Sequence, residues 1–305
     1  MIKVFGHKAP DTDATGSAII WSWYLGTQGQ EAKPYVLGAP NTEAAFVLKR
    51  WGYETPTVLE TVSESDTVVV VDTNNPAELP EGINEASVQQ IIDHHKLVGG
   101  LETKEPIEIT MRPVASTATI MADIIGDDLT TAPDGIKGLI LSCVLSDTLE
   151  FRSPTTTDVD KTLAVKLAAD LGLDLASYAS LMFEAKSDVS AFSDAALLRM
   201  DSKEYGVDGT KFRVSVLETT APKIVLDRKD SLMDTMVDVA AEDGVDQVLL
   251  FVVDILNEEA TLMVPNDLVS GLAKASFGAE VSGDMVVLPG IVSRKKQIIP
   301  RLKLG

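Results

Sequence analysis

The chain of 305 residues contains three histidines, and aspartates flank all of them. GHKAPDTD carries His7, Asp11 and Asp13; the run VVVVD ends in Asp72; DHH supplies Asp93, His94 and His95; LSCVLSDT closes on Asp147. Taken singly, each piece has an ordinary reading. Asp11 and Asp13 suit a helix N-terminus, Asp72 before Thr-Asn-Asn suits an Asx turn, Asp147 suits a helix end, and a histidine pair suits a surface. Together they imply more. Several carboxylates converging with only Lys8 and Lys96 nearby would repel one another, and divalent cations remove that repulsion. Imidazole mixed with carboxylate, and no thiolate, favours Mn²⁺ or Co²⁺ over a structural zinc site. Mg²⁺ prefers oxygen ligands and ranks lower as the tightly held ion, although it can arrive with substrate. About six candidate ligands are too many for one catalytic ion and suit two that share a carboxylate, an arrangement that activates water and clamps a phosphoryl group.

Such side chains need a frame. Residues 2–5 (IKVF), 35–38 (YVLG), 67–72 (TVVVVD) and 88–93 (VQQIID) read as strands, and 15–26, 41–51, 117–125, 136–145 and 161–171 as helices. Strands alternating with helices predict a mostly parallel sheet flanked by helices. In such sheets, ligands gather at the carboxyl ends of the strands, and His7, Asp11, Asp13, Asp72, Asp93, His94, His95 and Asp147 are all expected there. Small polar residues at 188–194 predict a linker between domains at 1–187 and 195–305. The second domain reads as smaller and mixed α/β, with strands at 212–218, 246–256 and 260–264, a helix at 230–242, and no histidine.

Composition narrows the function classes. Twenty-six basic residues against 46 acidic give a net charge of −20, which repels a phosphate backbone and argues against nucleic acid as partner. A small phosphate anion accompanied by a divalent cation escapes that objection. No membrane span or signal peptide is expected. The one cysteine, Cys143, sits in an apolar run and reads as a small buried hydrophobe. A cytoplasmic location is the expectation.

GHKAPDTD, VVVVD and DHH resemble the N-terminal motifs of the DHH phosphoesterase superfamily. SDTLEFRSPT at 146–155 and SRKKQ at 293–297 are similar to motifs of the family II, manganese-dependent inorganic pyrophosphatases. The chain departs from the family pattern at Ala9, where asparagine is usual, at Arg112 and Ala115 in RPVASTATI (EPVGCTATI in the family), and at Glu150, where an apolar residue is common. None of these positions is an expected ligand.

The resemblance implies a DHH domain followed by a DHHA2-like domain, with the active site in the cleft between them. One Mn²⁺ would be held by His7, Asp11 and Asp72, and a second by Asp13, Asp72, His94 and Asp147. Co²⁺ or Mg²⁺ would serve as substitutes, with further Mg²⁺ or Mn²⁺ entering with substrate. His95, Lys203 in MDSKEY, Arg294 and Lys295 would bind the substrate, pyrophosphate, while Asp93 would orient a metal-bound histidine. The adjacent histidines thus divide the work, one on metal and one on phosphate. Hydrolysis to two orthophosphates by a homodimer joined through its N-terminal sheets is the implied function. The competing readings are an exopolyphosphatase or nucleotide phosphodiesterase of the same superfamily, and a metal-dependent binding module without catalysis. The C-terminal domain lacks the glycine-rich, histidine-containing motif typical of the phosphodiesterases.

Overall fold

The valine run at 67–71 lies where its composition puts it, in the middle of a sheet with every valine buried. In the computed structural model, residues 1–304 are described. Gly305, the last residue of the expected second domain, lies outside them. The chain divides into two compact units, Met1–Lys186 and the residues from Ser187 on.

The first unit runs β1 (Ile2–Phe5), α1 (Thr12–Thr27), β2 (Ala32–Val36), α2 (Thr42–Trp51), β3 (Thr57–Val58), β4 (Thr67–Val71), β5 (Ser87–Asp93), β6 (Glu108–Met111), α3 (Thr117–Ile125), α4 (Asp134–Thr148), α5 (Asp158–Asp170) and α6 (Leu175–Lys186). Its six strands are ordered β3-β2-β1-β4-β5-β6, and all neighbouring pairs are parallel. The order reverses direction between β1 and β4, which makes their carboxyl ends the natural ligand crevice of the sheet. Gly6 follows β1 because a Cβ there would lie 2.7 Å from the Cβ of Ala14. Its missing side chain lets the loop run close against α1. Cys143 is buried as expected, and its thiol donates to the Thr12 carbonyl at 3.3 Å.

The second unit runs α7 (Asp194–Met200), β7 (Ser202–Val207), β8 (Thr210–Thr219), α8 (Pro222–Leu226), α9 (Lys229–Asp243), β9 (Gln247–Asp254), β10 (Glu259–Met263), α10 (Asp267–Phe277) and β11 (Met285–Pro289). Its sheet has the order β11-β10-β9-β8-β7 and is mixed: β8 and β9 are parallel and the remaining pairs antiparallel. β9 is buried at every residue. Separate apolar clusters, one around Phe212 and Phe251 and one around Leu232 and Val248, fill the core. After β11, Arg294–Ile298 makes a single π-helical turn.

The α/β expectation holds in both units, with shifted boundaries. The strand expected at 35–38 lies at Ala32–Val36. The helix expected from residue 15 starts at Thr12. No helix among the described residues is long and apolar enough to cross a membrane.

Candidate metal centre

Four loops and helix ends bring the acidic and imidazole groups together at the carboxyl side of the first sheet. His7 leaves β1. Asp11 caps α1, accepting from the Ala14 N–H at 2.9 Å, so its ordinary role is realised alongside its place in the cluster. Asp13, one residue into the helix, is 1% exposed. Asp72 leaves β4 with φ at +59°, a left-handed conformation that aspartate tolerates better than most residues. Its N–H donates to the Ile92 carbonyl at 2.9 Å, tying the turn to β5. His94 and His95 follow β5. Asp147 stands in the last turn of α4, the helix end that its sequence context suits, and not at the end of a strand. Directly after it, Leu149, Glu150 and Phe151 all have positive φ, a strained stretch of the kind that clusters at functional sites.

The separations describe a cluster waiting for positive charge. His7 Nε2 lies 3.6 Å from Asp11 Oδ2 and 3.5 Å from Asp72 Oδ2. His94 Nε2 lies 3.4 Å from Asp72 Oδ1 and 3.9 Å from both Asp13 Oδ2 and Asp147 Oδ2. The other ring nitrogen of His94 is 3.2 Å from the Val114 carbonyl. A carbonyl only accepts, so Nδ1 carries a hydrogen and Nε2 is the ring atom turned toward three carboxylates. Asp147 Oδ2 is buried without a hydrogen-bond partner. His7, Asp11 and Asp72 form one group able to hold a metal ion, and Asp13, His94 and Asp147 form another. A buried acceptor without a donor and an imidazole nitrogen set among three carboxylates both fit divalent cations, and the nitrogen–oxygen donor set fits manganese.

Without cations, protons supply the compensation. Burial, reinforced by Asp72, pushes the Asp13 carboxyl up to about 7. Burial, with Asp13 and Asp72 beside it, raises Asp147 as well. Burial pulls His7 down, but its contacts with Asp11 and Asp72 outweigh that and drive it up to about 10. His94 is likewise held at about 9, its contacts with Asp72 and Asp13 overcoming burial. Burial works to raise Asp72, yet the two imidazoles against it hold it below the ordinary carboxylate range. A cation entering this cluster displaces protons.

The first turn of α3 supplies groups the sequence reading passes over. Asp13 accepts from the Thr117 N–H at 2.7 Å, the Ala118 N–H at 3.3 Å and the Ser116 hydroxyl at 2.9 Å. The Thr117 hydroxyl donates to Asp72 Oδ1 at 3.0 Å. Both carboxylates are thereby aimed by one helix N-terminus, whose free N–H groups favour negative charge. RPVASTATI is legible only as a similarity to a family motif, and nothing in its residue types announces contact with Asp13.

Asp93 also departs from expectation. It does not touch His94, which the Val114 carbonyl orients instead. Asp93 Oδ1 lies 2.9 Å from His95 Nδ1 and accepts the His95 backbone N–H at 3.0 Å, while Asn74 Nδ2 donates to Oδ2 at 2.5 Å. His95 is therefore the oriented ring. Its side chain is 51% exposed against 16% for His94, so the adjacent imidazoles do face different surroundings. His95 Nδ1 still lies 3.8 Å from Asp72 Oδ1, and Asp72, His94 and His95 form a third group close enough to hold an ion.

In the second unit, Arg294 donates through Nη1 to the Asp201 carbonyl at 2.6 Å and through Nη2 to its carboxylate at 2.7 Å. Asp201 is two residues before Lys203 in the chain, so this pair draws the loop after β11 to the start of β7. Gln297 stiffens the loop, accepting the N–H groups of Val292 and Ser293, each at 2.9 Å. Lys203 and Lys295 are exposed, and neither makes an ion pair among the described residues.

Comparison with known proteins agrees with this geometry. Residues 1–147 match the N-terminal domain of the DHH family and residues 180–304 match the DHHA2 domain. A Deinococcus radiodurans protein named "Probable manganese-dependent inorganic pyrophosphatase" is 40% identical over 99% of this chain and 98% of its own length. A Bacillus licheniformis protein of the same name is 34% identical over 99% of this chain and 97% of its own. Among solved structures, a Methanococcus jannaschii protein described as a candidate family II inorganic pyrophosphatase is 32% identical and superposes with a TM-score of 0.62, covering 99% of this chain and 98% of that one. Motifs in both units and similarity along the whole length lead to one assignment: the chain belongs to the DHH family, with a DHHA2 domain, in the group of manganese-dependent inorganic pyrophosphatases.

Proposed function

We propose that the protein hydrolyses inorganic pyrophosphate to two orthophosphates with manganese as its resident cation. The observation that carries this reading is the cluster around Asp72, which faces both His7 and His94 and can therefore be shared by two ions. In this reading His7, Asp11 and Asp72 hold one cation, and Asp13, Asp72, His94 and Asp147 hold the other. The bound ions supply Lewis acidity toward a phosphoryl oxygen and acidify a water. The chain's own residues do the remainder. The N-terminus of α3 keeps Asp13 and Asp72 aimed. Asp93 fixes the ring of His95, whose Nε2 is left for a phosphate oxygen. Lys203, Arg294 and Lys295 pair with phosphate oxygens, and Asp201 holds the guanidinium flat for that purpose. The homodimer and the cytoplasmic location implied by the resemblance belong to this same proposal.

Pyrophosphate carries charge on both phosphorus centres, whereas a phosphodiester would set an organic group against one of these cations and leave it unpaired. Phosphate release should therefore be far faster from pyrophosphate than from tripolyphosphate, p-nitrophenyl phosphate or a short oligonucleotide in Mn²⁺ buffer. Comparable rates on the oligonucleotide would move the protein to a phosphodiesterase assignment.

A further inference from the structure

Asp160 is completely buried, and among the described residues it makes no ion pair. It sits in the first turn of α5, where Thr157 and Asp160 form a capping box. That role accounts for the Thr157 N–H at 2.8 Å and the Thr157 hydroxyl at 2.6 Å. It does not account for the other two donors. The Ala115 N–H reaches Oδ2 at 3.1 Å and Oδ1 at 3.3 Å, and the Thr119 hydroxyl reaches Oδ1 at 2.6 Å. Ala115 and Thr119 flank Ser116, Thr117 and Ala118, whose N–H and hydroxyl groups hold Asp13 and Asp72.

We propose that Asp160 is a positioning residue for the metal centre: it clamps the first turn of α3 from both sides, and so fixes the donors that aim Asp13 and Asp72. Only a side chain that presents two accepting oxygens serves there. Four donor groups converge on two oxygens, and a carboxamide would turn an N–H₂ toward other donors. The inference rests on the reading that Asp13 and Asp72 bind cations and not on pyrophosphate being the substrate.

The test is the Mn²⁺ dissociation constant of the folded, chelator-stripped protein, measured by calorimetric titration well below the melting temperature. Asp160→Asn and Thr119→Val should each weaken Mn²⁺ about tenfold, at the low end of what losing an outer hydrogen-bond partner of a metal ligand costs. Thr119→Ser keeps the hydroxyl and should restore affinity to within about twofold of the parent. Thr157→Val removes a donor to Asp160 that lies on the α5 side and does not touch α3, so it should lower the melting temperature and leave Mn²⁺ affinity alone. If Asp160→Asn does not fold, the Thr119 pair decides. Parent-like affinity in Thr119→Val would overturn the proposal, as would equal weakening in Thr157→Val, since affinity would then merely follow stability. A protein that binds Mn²⁺ as described and does not hydrolyse pyrophosphate would refute the substrate assignment and leave the role of Asp160 standing.

Discussion

The groups assigned to metal and the groups assigned to phosphate are built under opposite conditions. Asp13 and Asp72 are each 1% exposed, lie among other carboxylates, and are approached through a left-handed turn at Asp72. Lys203 and Lys295 stand in solvent, and Arg294 leans on an exposed aspartate. Burying like charges is costly unless a cation or a proton compensates, so the first site is a local instability that metal relieves. Exposed cations keep their hydration and contribute little to stability either way. The same chemistry is therefore coupled to folding in one unit and nearly uncoupled from it in the other.

The largest effect is expected from removing Asp72, the proposed shared ligand. Asp72→Asn is expected to weaken both cations and to lower phosphate release by more than about 100-fold, whereas His7→Ala should weaken one. Metal analysis beside activity checks this, and near-normal metal content in Asp72→Asn would refute the shared role. On the other side, Lys295→Ala should lower kcat/KM by on the order of 100-fold with a stability change under about 0.5 kcal/mol. A large fall in melting temperature with intact kinetics would reverse the contrast.

The pH dependence of the metal-free protein sharpens it further. His7 at about 10 and His94 at about 9 bind protons in the folded state that the unfolded chain releases above its ordinary value near 6.5. Asp13 at about 7 and the raised Asp147 do the same above the ordinary carboxyl value. All four contributions are present at low pH and lost as pH rises, across a window from about 4 to about 10. The stripped protein should melt at least about 5 °C lower at pH 9 than at pH 6, and Mn²⁺ should flatten or reverse the trend. A stripped protein more stable at pH 9 would contradict the proton-compensated cluster. The smallest effect is expected for Asp201→Asn, which loosens Arg294 without touching substrate and should raise KM by about threefold.

What the sequence revealed follows from how each feature is encoded. An unbroken β-branched run marked β4, shorter or alternating apolar stretches marked β1, β5, β8 and β9, and strand-end acids marked the crevice. Edge strands such as β6 (EITM) are half-exposed and carry no comparable run. The two-residue β3 is too short to have a pattern. α6 buries Tyr178, Ala179, Met182 and Phe183, a helical spacing that is present in the sequence itself. The site was readable wherever a residue type announces chemistry, as His7, Asp72 and His94 do. It was unreadable where ordinary residues act through backbone N–H groups, as Thr117 and Ala118 do, or through distant contacts, as Asp160 does. Asp147 is legible by its type at the end of the helix read at 136–145, but α4 is buried on nearly all sides, so its periodicity does not show which face the aspartate occupies.

The cluster around Asp72 is proposed above as a two-cation hydrolytic centre. Titration of the chelator-stripped protein with Mn²⁺, following heat and phosphate release from pyrophosphate on the same sample, tests it most directly. No release is expected before metal is added; the substrate-free protein should bind two Mn²⁺ per chain, and release should appear only as those ions bind. Release at the loaded rate from stripped protein, or none at saturating Mn²⁺, would contradict it.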